Sequence, residues 1–477
     1  MRKNNLFATY DPGDPFCELS SLEGDAKGLA QQFGRLNLRA LNRRNKAAER
    51  ELRNLGITFT VYSDAGAIDR ILPFDPIPRP IAKADWRRVE RGCIQRVAAL
   101  NEFLADIYGK QHILKDKLLP GELILRNKSF QKDLVGQKQR HGVYAHITGV
   151  DLIRGKDGEF LVLEDNCRCP SGVSYVIENR HLMMRSFPDL MAGVKIKPVS
   201  DYGRRLLEKL LECAPAGVSS PQAALLTPGV FNSAYFEHVF LAREMGVPLV
   251  QGSDLVVDDK DAVYMKTVRG LEAVHVLYRR IDDEFLDPEV FRKDSVLGAP
   301  GLMRAQRAGK LTIANAVGTG VADDKAVYAY MPDIIRYYFG EEPILDNVET
   351  YICRHDDELA YVLDNLSELV VKPVDGSGGY GIVVGPKATK KELQQIRAAL
   401  KKKPSHYIAQ PMIDLSVCPT LTEKGVAPRH VDLRPFVVTG QSSWVLPGGL
   451  TRVAMREGSI VVNSSQGGGS KDTWVLR

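Results

Sequence analysis

The chain has 477 residues, of which 44% are hydrophobic and 26% charged, a balance typical of globular proteins with a sizeable core. This composition excludes an intrinsically disordered chain, and at ~100–200 residues per domain it predicts two to four domains. With 64 Lys and Arg against 59 Asp and Glu, the net charge of +5 is too small to indicate a nucleic-acid partner.

The same sequence predicts a cytoplasmic protein with no membrane partner. No apolar run reaches the ~18–20 residues that a membrane span needs, and the N-terminus lacks the apolar segment of a secretory signal. The seven cysteines are scattered and form no CxxC pair, so we expect free thiols in a reducing compartment. Cys167 and Cys169 have no second Cys/His cluster nearby, which argues against a thiolate metal site.

Residues 1–140 are predicted to form a largely helical N-terminal region. Seven cations and two anions lie between Arg35 and Arg53, on an amphipathic helix that carries Leu41, Ala48, Leu52 and Leu55 at helical spacing. A solvated basic face is preferred to a site for an anionic partner. Gly56 is predicted to end this helix, ITFTVYS to form a strand, and Asp85–Tyr108 to form one long helix.

Three further regions are predicted from the changes in pattern. Residues 141–196 hold two strands, VYAHITGVDLIR and FLVLED, around a turn at GKDGE, and then a helix. Residues 222–330 alternate short apolar strands with helices, which favours an α/β layer, and a smaller α/β domain is predicted at 197–315. Residues 316–477 carry a helix at 388–402 and the predicted strands LVVKP, GIVVG, YIAQPMI, LRPFVVTG and SIVVNSS.

The first motif that carries chemistry is ELVVKPVDGSGGYGIVVG, residues 368–385. A strand leads through Lys372 into a glycine-rich turn, and a second strand returns. Glycines lack a Cβ, so successive backbone N–H groups can close over phosphate oxygens, and a lysine can bind phosphate as a point charge. Glycine-rich hairpins are common and the P-loop pattern GxxxxGK[ST] is absent, so a plain β-turn is the alternative.

The second motif is GVDLIRGKDGEFLVLEDNCRCPSG, residues 149–172. Asp151 ends one strand, and Glu164 and Asn166 follow 13 and 15 residues later on the next. If the strands pair as a hairpin, the three side chains converge on one face. Two carboxylates and an amide are hard oxygen donors that suit Mg²⁺ together with nucleotide phosphates. An exposed acidic hairpin edge is the alternative.

The two motifs, with Lys325 in NAVGTGVADDKAVY, Asp432 and Arg434 in DLRPFVV, and Asn463 in VVNSSQGGG, resemble the ATP-grasp family. In that family the metal hairpin normally follows the other motifs, whereas here it precedes them by more than 150 residues. The chain therefore resembles a circularly permuted ATP-grasp protein, of the glutathionylspermidine-synthase-like, carboxylate-amine ligase type. The resemblance implies an α/β (α+β) fold, with a smaller α/β pre-ATP-grasp domain at 197–315 and the helical N-terminal region.

The resemblance also implies roles for single residues, with ATP and Mg²⁺ as cofactors. The metal ligands would be Asp151, Glu164 and Asn166. Lys325 and Lys372 would contact the ATP phosphates, and Gln410 would lie beside the adenine. The other nucleotide-binding residues would be the lid residues Gly376, Ser377, Gly378, Gly379 and Gly381, together with Asn463. Arg434, Arg452 and Arg456 would neutralise a transferring phosphoryl group or a substrate carboxylate. Position 149, where many family ligases have an arginine, is a glycine.

The implied reaction joins a small-molecule or peptide acid to an amine at the expense of ATP, through an acyl phosphate. A kinase is one alternative, although no sequence feature singles out a base for an acceptor hydroxyl. A non-catalytic nucleotide-binding partner protein is another, and it would be expected to lose a metal ligand, whereas all three are present.

Several charged residues keep two interpretations. Asp432 and Arg434, two residues apart, could form a structural ion pair instead of a site. The charged segment Arg279–Asp283 after an apolar strand could face a substrate or form a solvated turn. The polar residues Asn232, Tyr235, Glu237 and His238 at a helix start are caps or surface residues, or else contribute to a substrate site. His146 and His430 lie on predicted strands and are interpreted as core histidines or as histidines that support site residues from behind.

Overall fold

A computed structural model gives the structure of residues 6–22, 28–63, 66–374, 381–459, 462 and 467–477. The predicted lid residues Gly376, Ser377, Gly378 and Gly379 lie outside the described residues, as does Asn463 with most of the predicted strand SIVVNSS.

The helices of the described chain include the two long ones predicted near the N-terminus. In chain order they are α1 (Gly28–Gly34), α2 (Leu38–Asn54), α3 (Lys83–Ile107), α4 (His112–Lys115), α5 (Gly121–Leu125), α6 (Val173–Ser186), α7 (Pro188–Met191), α8 (Tyr202–Glu212), α9 (Tyr235–Met245), α10 (Leu302–Arg307), α11 (Lys325–Ala329), α12 (Met331–Phe339), α13 (Asp356–Asp364) and α14 (Lys390–Lys402).

The strands fall into several sheets. In chain order they are β1 (Thr58–Ser63), β2 (Gly66–Ile71), β3 (Phe74–Ile81), β4 (Ile147–Arg154), β5 (Phe160–Asn166), β6 (Ala223–Leu226), β7 (Leu249–Val250), β8 (Leu255–Val257), β9 (Val263–Thr267), β10 (Gly270–Ala273), β11 (Val276–Arg279), β12 (Thr312–Ala314), β13 (Tyr351–Ile352), β14 (Leu369–Pro373), β15 (Val383–Val384), β16 (Tyr407–Pro411), β17 (Val417–Thr422), β18 (Gly425–Arg434), β19 (Phe436–Thr439), β20 (Ser443–Val445), β21 (Leu450–Val453) and β22 (Gly469–Val475).

Helix α2 shows how the sequence pattern becomes structure. Leu41, Ala48 and Leu52 are buried, as predicted, and the helix ends just before Gly56, whose φ of +67° favours glycine. Leu55 is 56% exposed because it is the C-cap and no longer follows the helical spacing. The predicted helix and its buried stripe are otherwise confirmed.

The main sheet combines strands from both ends of the described chain. Nine described strands form it, in the order β20-β19-β4-β18-β21-β22-β3, with β17 on β18 and β5 on β4. Strand β4 pairs antiparallel with β18 and β19, while β22 pairs parallel with β3. N-terminal strands thus lie beside C-terminal ones, which is the arrangement that a circular permutation requires.

The region of residues 197–315, termed the small domain, contains a four-stranded parallel sheet in the order β12-β11-β6-β7. The chain passes from β6 to β7 on one side and later to β11 on the other, so the strand order reverses between β6 and β11. One face of the sheet packs on α8 and α9, and the opposite face packs on α3 and its neighbours in the helical N-terminal region. The predicted alternation of strands and helices in this region is confirmed.

A separate unit follows between residues 351 and 411. Its sheet has the order β13-β16-β14-β15, and α13 and α14 cover it around a core of its own that includes Val362, Val371 and Leu400. Strand β14 brings Lys372 to the start of the predicted lid, and β15 follows it.

Two expectations from the composition concern the cysteines and membrane-spanning helices. The seven cysteines are all free thiols, as predicted. In the described ranges, none of the helices has both the length and the apolar character needed to cross a membrane.

Candidate active site

A cleft of about 1850 Å³ opens between the main sheet, the 351–411 unit and the small domain. Most of the predicted site residues meet on its walls. They are Asp151, Glu164, Asn166, Lys325, Lys372, Gln410, Arg434 and Arg452, contributed by strands and helices far apart in the sequence.

The hairpin of β4 and β5 forms one wall as predicted. Its register places Asp151 opposite Glu164 and Gly149 opposite Asn166. Residues two apart on a strand point to the same face, so Asp151, Glu164 and Asn166 share one side of the hairpin. Asn166 Nδ2 donates to the Gly149 carbonyl at 3.3 Å and lies 3.5 Å from Asp151 Oδ1. The structure thus brings the three predicted side chains together on one side of the hairpin.

Asp151 is held by two arginines. Arg434 donates through Nε and, at 2.8 Å, through a terminal nitrogen, while Arg452 donates at 2.7 Å. Asp151 is only 1% exposed. Burial by itself raises the pKa of Asp151, but the two guanidinium groups outweigh it and lower this pKa to about 2.

Arg452 extends this network to Asp432. It donates through Nε to both oxygens of Asp432 at 3.0 Å, and burial nevertheless raises the pKa of Asp432 above its ordinary value. Arg434 also lies 3.8 Å from Glu164 Oε1. Asp432 and Arg434 therefore pair with different partners, instead of with each other as their spacing allowed.

Gly149 makes room for Arg434. A Cβ at this position would lie 3.2 Å from Arg434 Cδ and 3.2 Å from Pro170 Cβ. The position where many family ligases carry an arginine is thus covered by the arginine side chain of the neighbouring strand β18. Although Gly149 replaces the arginine of many family ligases, the guanidinium group of Arg434 lies at this wall of the cleft.

Two lysines face the hairpin from the other side of the cleft. Lys325 Nζ lies 3.7 Å from Glu164 Oε2, and Lys325 begins α11, for which Asp324 is the N-cap. The Lys325 backbone N–H donates to the Val374 carbonyl at 3.1 Å, next to the predicted lid. Lys325 on α11 and Arg434 on β18 thus both lie near the Glu164 carboxylate.

Lys372 lies deep beside the strand that carries Gln410. Its Nζ donates to Gln410 Oε1 at 2.5 Å, and Gln410 Nε2 donates to Thr350 Oγ1 at 2.9 Å. Burial lowers the pKa of Lys372 to about 8, with Glu164 opposing and Lys325 reinforcing the change. Because burial destabilises the charged form of Lys372, an anionic ligand beside its amine would stabilise that form.

Arg456 and Gly381 lie at the margin of this arrangement. Arg456 is exposed, three residues beyond the end of β21, and is not on the cleft wall. Gly381 closes the predicted lid with a φ of +75°, a conformation that favours glycine. The structure therefore does not bring Arg456 to the other site residues.

Sequence reasoning missed Arg168 and Asp323, which also line the cleft. Arg168 lies 3.3 Å from Asp282 and 3.6 Å from Asp323, and burial raises the pKa of Asp323 to about 7. Asp323 accepts a hydrogen bond from the Cys167 N–H. Their positions beside Asn166 and Lys325 in the sequence are the signals that could have indicated them.

The polar residues with two interpretations are mostly buried. Arg279 pairs with Asp283 at 2.6 Å, and Arg280 with Glu237 at 2.9 Å, so this segment is not a solvated turn. His146 is a core histidine as expected, and burial lowers its pKa to about 4.

The donor set suits Mg²⁺ in chemical type. Glu164 and Asn166 face the cleft with hard oxygen atoms, whereas the oxygens of Asp151 are bound by guanidinium groups. Within the described ranges there is no group of three or more His, Cys, Asp or Glu arranged to hold a metal. A cation at this wall would thus depend on Glu164, on the Asn166 amide oxygen and on nucleotide oxygens.

The lysines, the hairpin carboxylates and the mixed sheets are features of an ATP-grasp protein. A family model described as circularly permuted ATP-grasp type 2 matches residues 78–454. The chain belongs to this family, and the predicted fold is confirmed.

Relatives and one solved structure are similar over nearly the whole chain. An uncharacterized protein of Synechocystis sp. is 52% identical over 474 residues, with 98% of each chain covered. A Frankia casuarinae protein named "Putative glutamate–cysteine ligase 2-2" is 42% identical over 95% of this chain, which spans 53% of that relative. A glutathione synthetase-like effector of Globodera pallida, solved without ligand, has 10% identity and a TM-score of 0.57, covering 92% of this chain and 98% of its own. That likeness concerns the fold.

Proposed function

We propose that the protein is an ATP- and Mg²⁺-dependent ligase that joins a carboxylate to an amine through an acyl phosphate. The observation that carries the proposal is the cleft in which Lys325 and Arg434 lie 3.7 and 3.8 Å from the Glu164 carboxylate and Lys372 lies within its electrostatic influence. Together with Arg452 these residues make four cations, which suit a polyphosphate ligand. The family to which the chain belongs indicates that this ligand is ATP. The ligase in the name of the Frankia relative supports the reaction type, although this chain spans only about half of that protein.

The nucleotide would lie at the Lys372 end of the cleft. Gln410, which is hydrogen-bonded to Lys372, is the proposed contact beside the adenine. We propose that the phosphates are covered by the lid residues Gly376–Gly379 and Gly381 together with Asn463. Lys325 and Lys372 would balance the charge that spreads over the transferred phosphoryl group. Because Lys372 is buried, its interaction with phosphate would be screened little by water.

Glu164 and Asn166 are the proposed Mg²⁺ ligands, and Asp151 is proposed to act at the same wall by orienting Arg434 and Arg452. When bound, Mg²⁺ would supply charge neutralisation at the phosphate oxygens. Arg434 and Arg452, fixed by Asp151 and Asp432, would face the phosphoryl group or the substrate carboxylate with little freedom to reorient. The exposed position of Arg456 gives no support to a catalytic role.

The proposed reaction has two steps. A carboxylate oxygen of the acid attacks the γ-phosphorus, and the bond to the β-phosphate oxygen breaks to release ADP. The amine nitrogen then attacks the acyl carbon and loses a proton, and inorganic phosphate leaves. Small-molecule or peptide acids and amines are the proposed substrates, and a cytoplasmic location stays a prediction.

A substrate panel tests the proposal. The protein is incubated with ATP and Mg²⁺ and with pairs of acids and amines, and ADP, phosphate and product mass are measured. We expect ADP release that needs both substrates, and a product equal to their sum less one water. A phosphorylated product would instead establish a kinase, and nucleotide binding without turnover on a broad panel would favour a non-catalytic protein.

A further inference from the structure

The loop that joins the β4–β5 hairpin to α6 packs against the carboxyl ends of the strands of the small parallel sheet. This loop, residues 167–172, lines the cleft after β5. It lies against residues that follow β6 and β11, the two strands between which the strand order reverses. In open α/β sheets such a crevice at the carboxyl ends of the strands is where ligands bind. Here a loop of the neighbouring domain occupies it.

Arg280, directly after β11, binds the loop from one side. It is 5% exposed and donates to the Pro170 carbonyl at 2.7 Å and to Ser171 Oγ at 2.6 Å. A planar guanidinium group can hold several acceptors in fixed directions, which an ammonium group cannot. The loop backbone and the Ser171 side chain are therefore both fixed by one buried side chain.

Glu237, in the first turn of α9, binds the same loop and neutralises Arg280. It is 2% exposed, and its Oε1 accepts from Arg280 at 2.9 Å. Its Oε2 accepts from the Gly172 N–H at 2.7 Å, the Ser174 N–H at 3.2 Å and Ser174 Oγ at 2.8 Å. These amides are at the N-terminus of α6, so Glu237 acts as its cap from another domain.

Ser171 links this pair to the arginine network of the cleft. Its side chain accepts from Arg280, while its carbonyl accepts from Arg434 at 3.2 Å. Arg434 in turn binds Asp151 and approaches Glu164. One residue of the loop therefore connects the small domain with the guanidinium group that faces the hairpin.

We infer that Glu237 and Arg280 are positioning residues, which fix the guanidinium group of Arg434 through the loop at Ser171. The inference rests on the proposed function for the role of Arg434 in turnover, but the positioning itself is a property of the folded chain. The small domain would thus hold the phosphoryl-transfer site in its working geometry without contacting the nucleotide. A misplacement of about 1 Å can lower a rate by roughly 10²-fold.

Arg280→Lys tests the inference, because it keeps the positive charge near Glu237 and removes the fork that binds the loop. Ser171→Ala is a milder second variant that removes only the side-chain acceptor. Arg292→Lys is the matched control, since Arg292 forms an exposed ion pair with Asp294 in the same domain. Each variant is compared with the wild-type chain in melting temperature, in the exchange rate of the Arg434 Nε–H measured by NMR, and in kcat and KM for ATP.

We expect Arg280→Lys to accelerate Arg434 Nε–H exchange by about tenfold or more and to lower kcat by about 10–10²-fold. KM for ATP should change little, and Ser171→Ala should shift exchange and kcat in the same direction by less. The control should match the wild type. Unchanged exchange in Arg280→Lys and Ser171→Ala would overturn the inference. So would a fall in kcat that is fully explained by a smaller folded fraction.

The exchange measurement also separates this inference from the proposed function. If the wild-type chain shows no ATP-dependent turnover on a broad panel, the proposed function fails, while the exchange rates still decide whether Arg280 positions Arg434. If turnover is present and the exchange rates are unchanged, the proposed function stands and the positioning role is wrong.

Discussion

Lys372 is a residue of the cleft whose charge depends on pH in the range near neutrality. Burial lowers its pKa to about 8, so it is charged below that pH in the free protein and neutral above it. Its amine lies against Gln410 and within the influence of Lys325 and Glu164. Binding of an anionic phosphate would favour the charged form, so nucleotide affinity and the protonation of Lys372 are coupled.

The first prediction compares Lys372→Met with the wild type across pH. At pH 7 the variant should bind Mg·ATP about 10–100-fold more weakly, because a charge-assisted hydrogen bond contributes about 1.5–3 kcal/mol. Above the pKa the wild type must take up a proton to bind, at about 1.4 kcal/mol per pH unit. The affinity difference should therefore shrink between pH 7 and 9.5, as titration calorimetry can measure. A difference that stays constant over this range would contradict the assignment.

The second prediction concerns Glu164 as a metal ligand. Glu164→Gln keeps the side-chain size but removes a charge, so we expect a loss of about 2–3 kcal/mol of transition-state stabilisation, roughly 100-fold in Mg·ATP turnover. Part of the loss should be recovered at high Mg²⁺. Glu159→Gln is the control, since Glu159 is exposed in the turn of the same hairpin and pairs with Arg88. Wild-type turnover at limiting Mg²⁺ in Glu164→Gln would exclude the metal role.

The spacing of residues predicted the hairpin side of the site, whereas Arg434 and Arg452 were predicted only through the resemblance to the family. Alternation of side chains within a hairpin is local, so the spacing of Asp151, Glu164 and Asn166 was enough to predict their convergence. Arg434 and Arg452 lie 283 and 301 residues from Asp151, and no local pattern specifies such a contact. For the same reason the resemblance could not separate Arg452, which reaches Asp151, from the exposed Arg456.

At the scale of elements, β3 is one of several strands of the main sheet that the sequence did not predict, and its composition shows why. It contains Pro76, Pro78 and Pro80, and proline in a strand ordinarily argues against a sheet position. The strand is the last one of the sheet in the described chain, paired on one side with β22. Only one side of β3 therefore makes ladder bonds, and the prolines are tolerated there.

Helix α3 contains a glycine for a packing reason, and this gives the third prediction. Ala ordinarily stabilises a helix interior by about 1 kcal/mol over Gly. A Cβ at Gly92 would overlap Cγ of Leu345, whose side chain is buried. Overpacking costs about 1–3 kcal/mol. The two effects oppose each other, and we expect Gly92→Ala to lower the melting temperature.

Gly121→Ala is the control for that prediction. Gly121 begins α5, its φ is not in the left-handed region, and nothing lies within 4 Å of the position of an added Cβ. This variant should leave the melting temperature unchanged or raise it slightly. An increase for Gly92→Ala of the same size would show that Leu345 adjusts at no cost.

At the scale of the whole molecule, the order of motifs along the chain predicted the circularly permuted fold, and this was the best of the predictions made from the sequence. The hairpin precedes the lysine and lid motifs, and permutation requires its strands to pair with C-terminal strands, as β4 and β18 do. The specific proximity of Asn463 to Glu164 lies outside the described residues. The packing of the small sheet against the helical N-terminal region in one core was not predictable, because buried faces do not specify their partners.

The last prediction follows from the position of β22 between β21 and β3. All seven of its residues are buried, and they include Lys471 paired with Asp75, Asp472 paired with Arg180, and Trp474. Removal of residues 469–477 would leave Asp75 and Arg180 buried without their partners, at about 3–5 kcal/mol each. Loss of the Trp474 side chain adds about 3–5 kcal/mol.

These costs together match or exceed much of the ~5–15 kcal/mol that stabilises a typical folded protein. We therefore expect the chain that ends at residue 468 to lose cooperative thermal unfolding, and to become sensitive to protease in the N-terminal strands as well as at its own end. Circular dichroism and limited proteolysis measure both effects. The chain lacking only the exposed Arg477 is the control and should behave as wild type. If instead the shortened chain melts cooperatively and keeps residues 74–166 protected, then the two ends of the sequence do not depend on one another for folding, and the shared sheet is not the element that holds the permuted fold together.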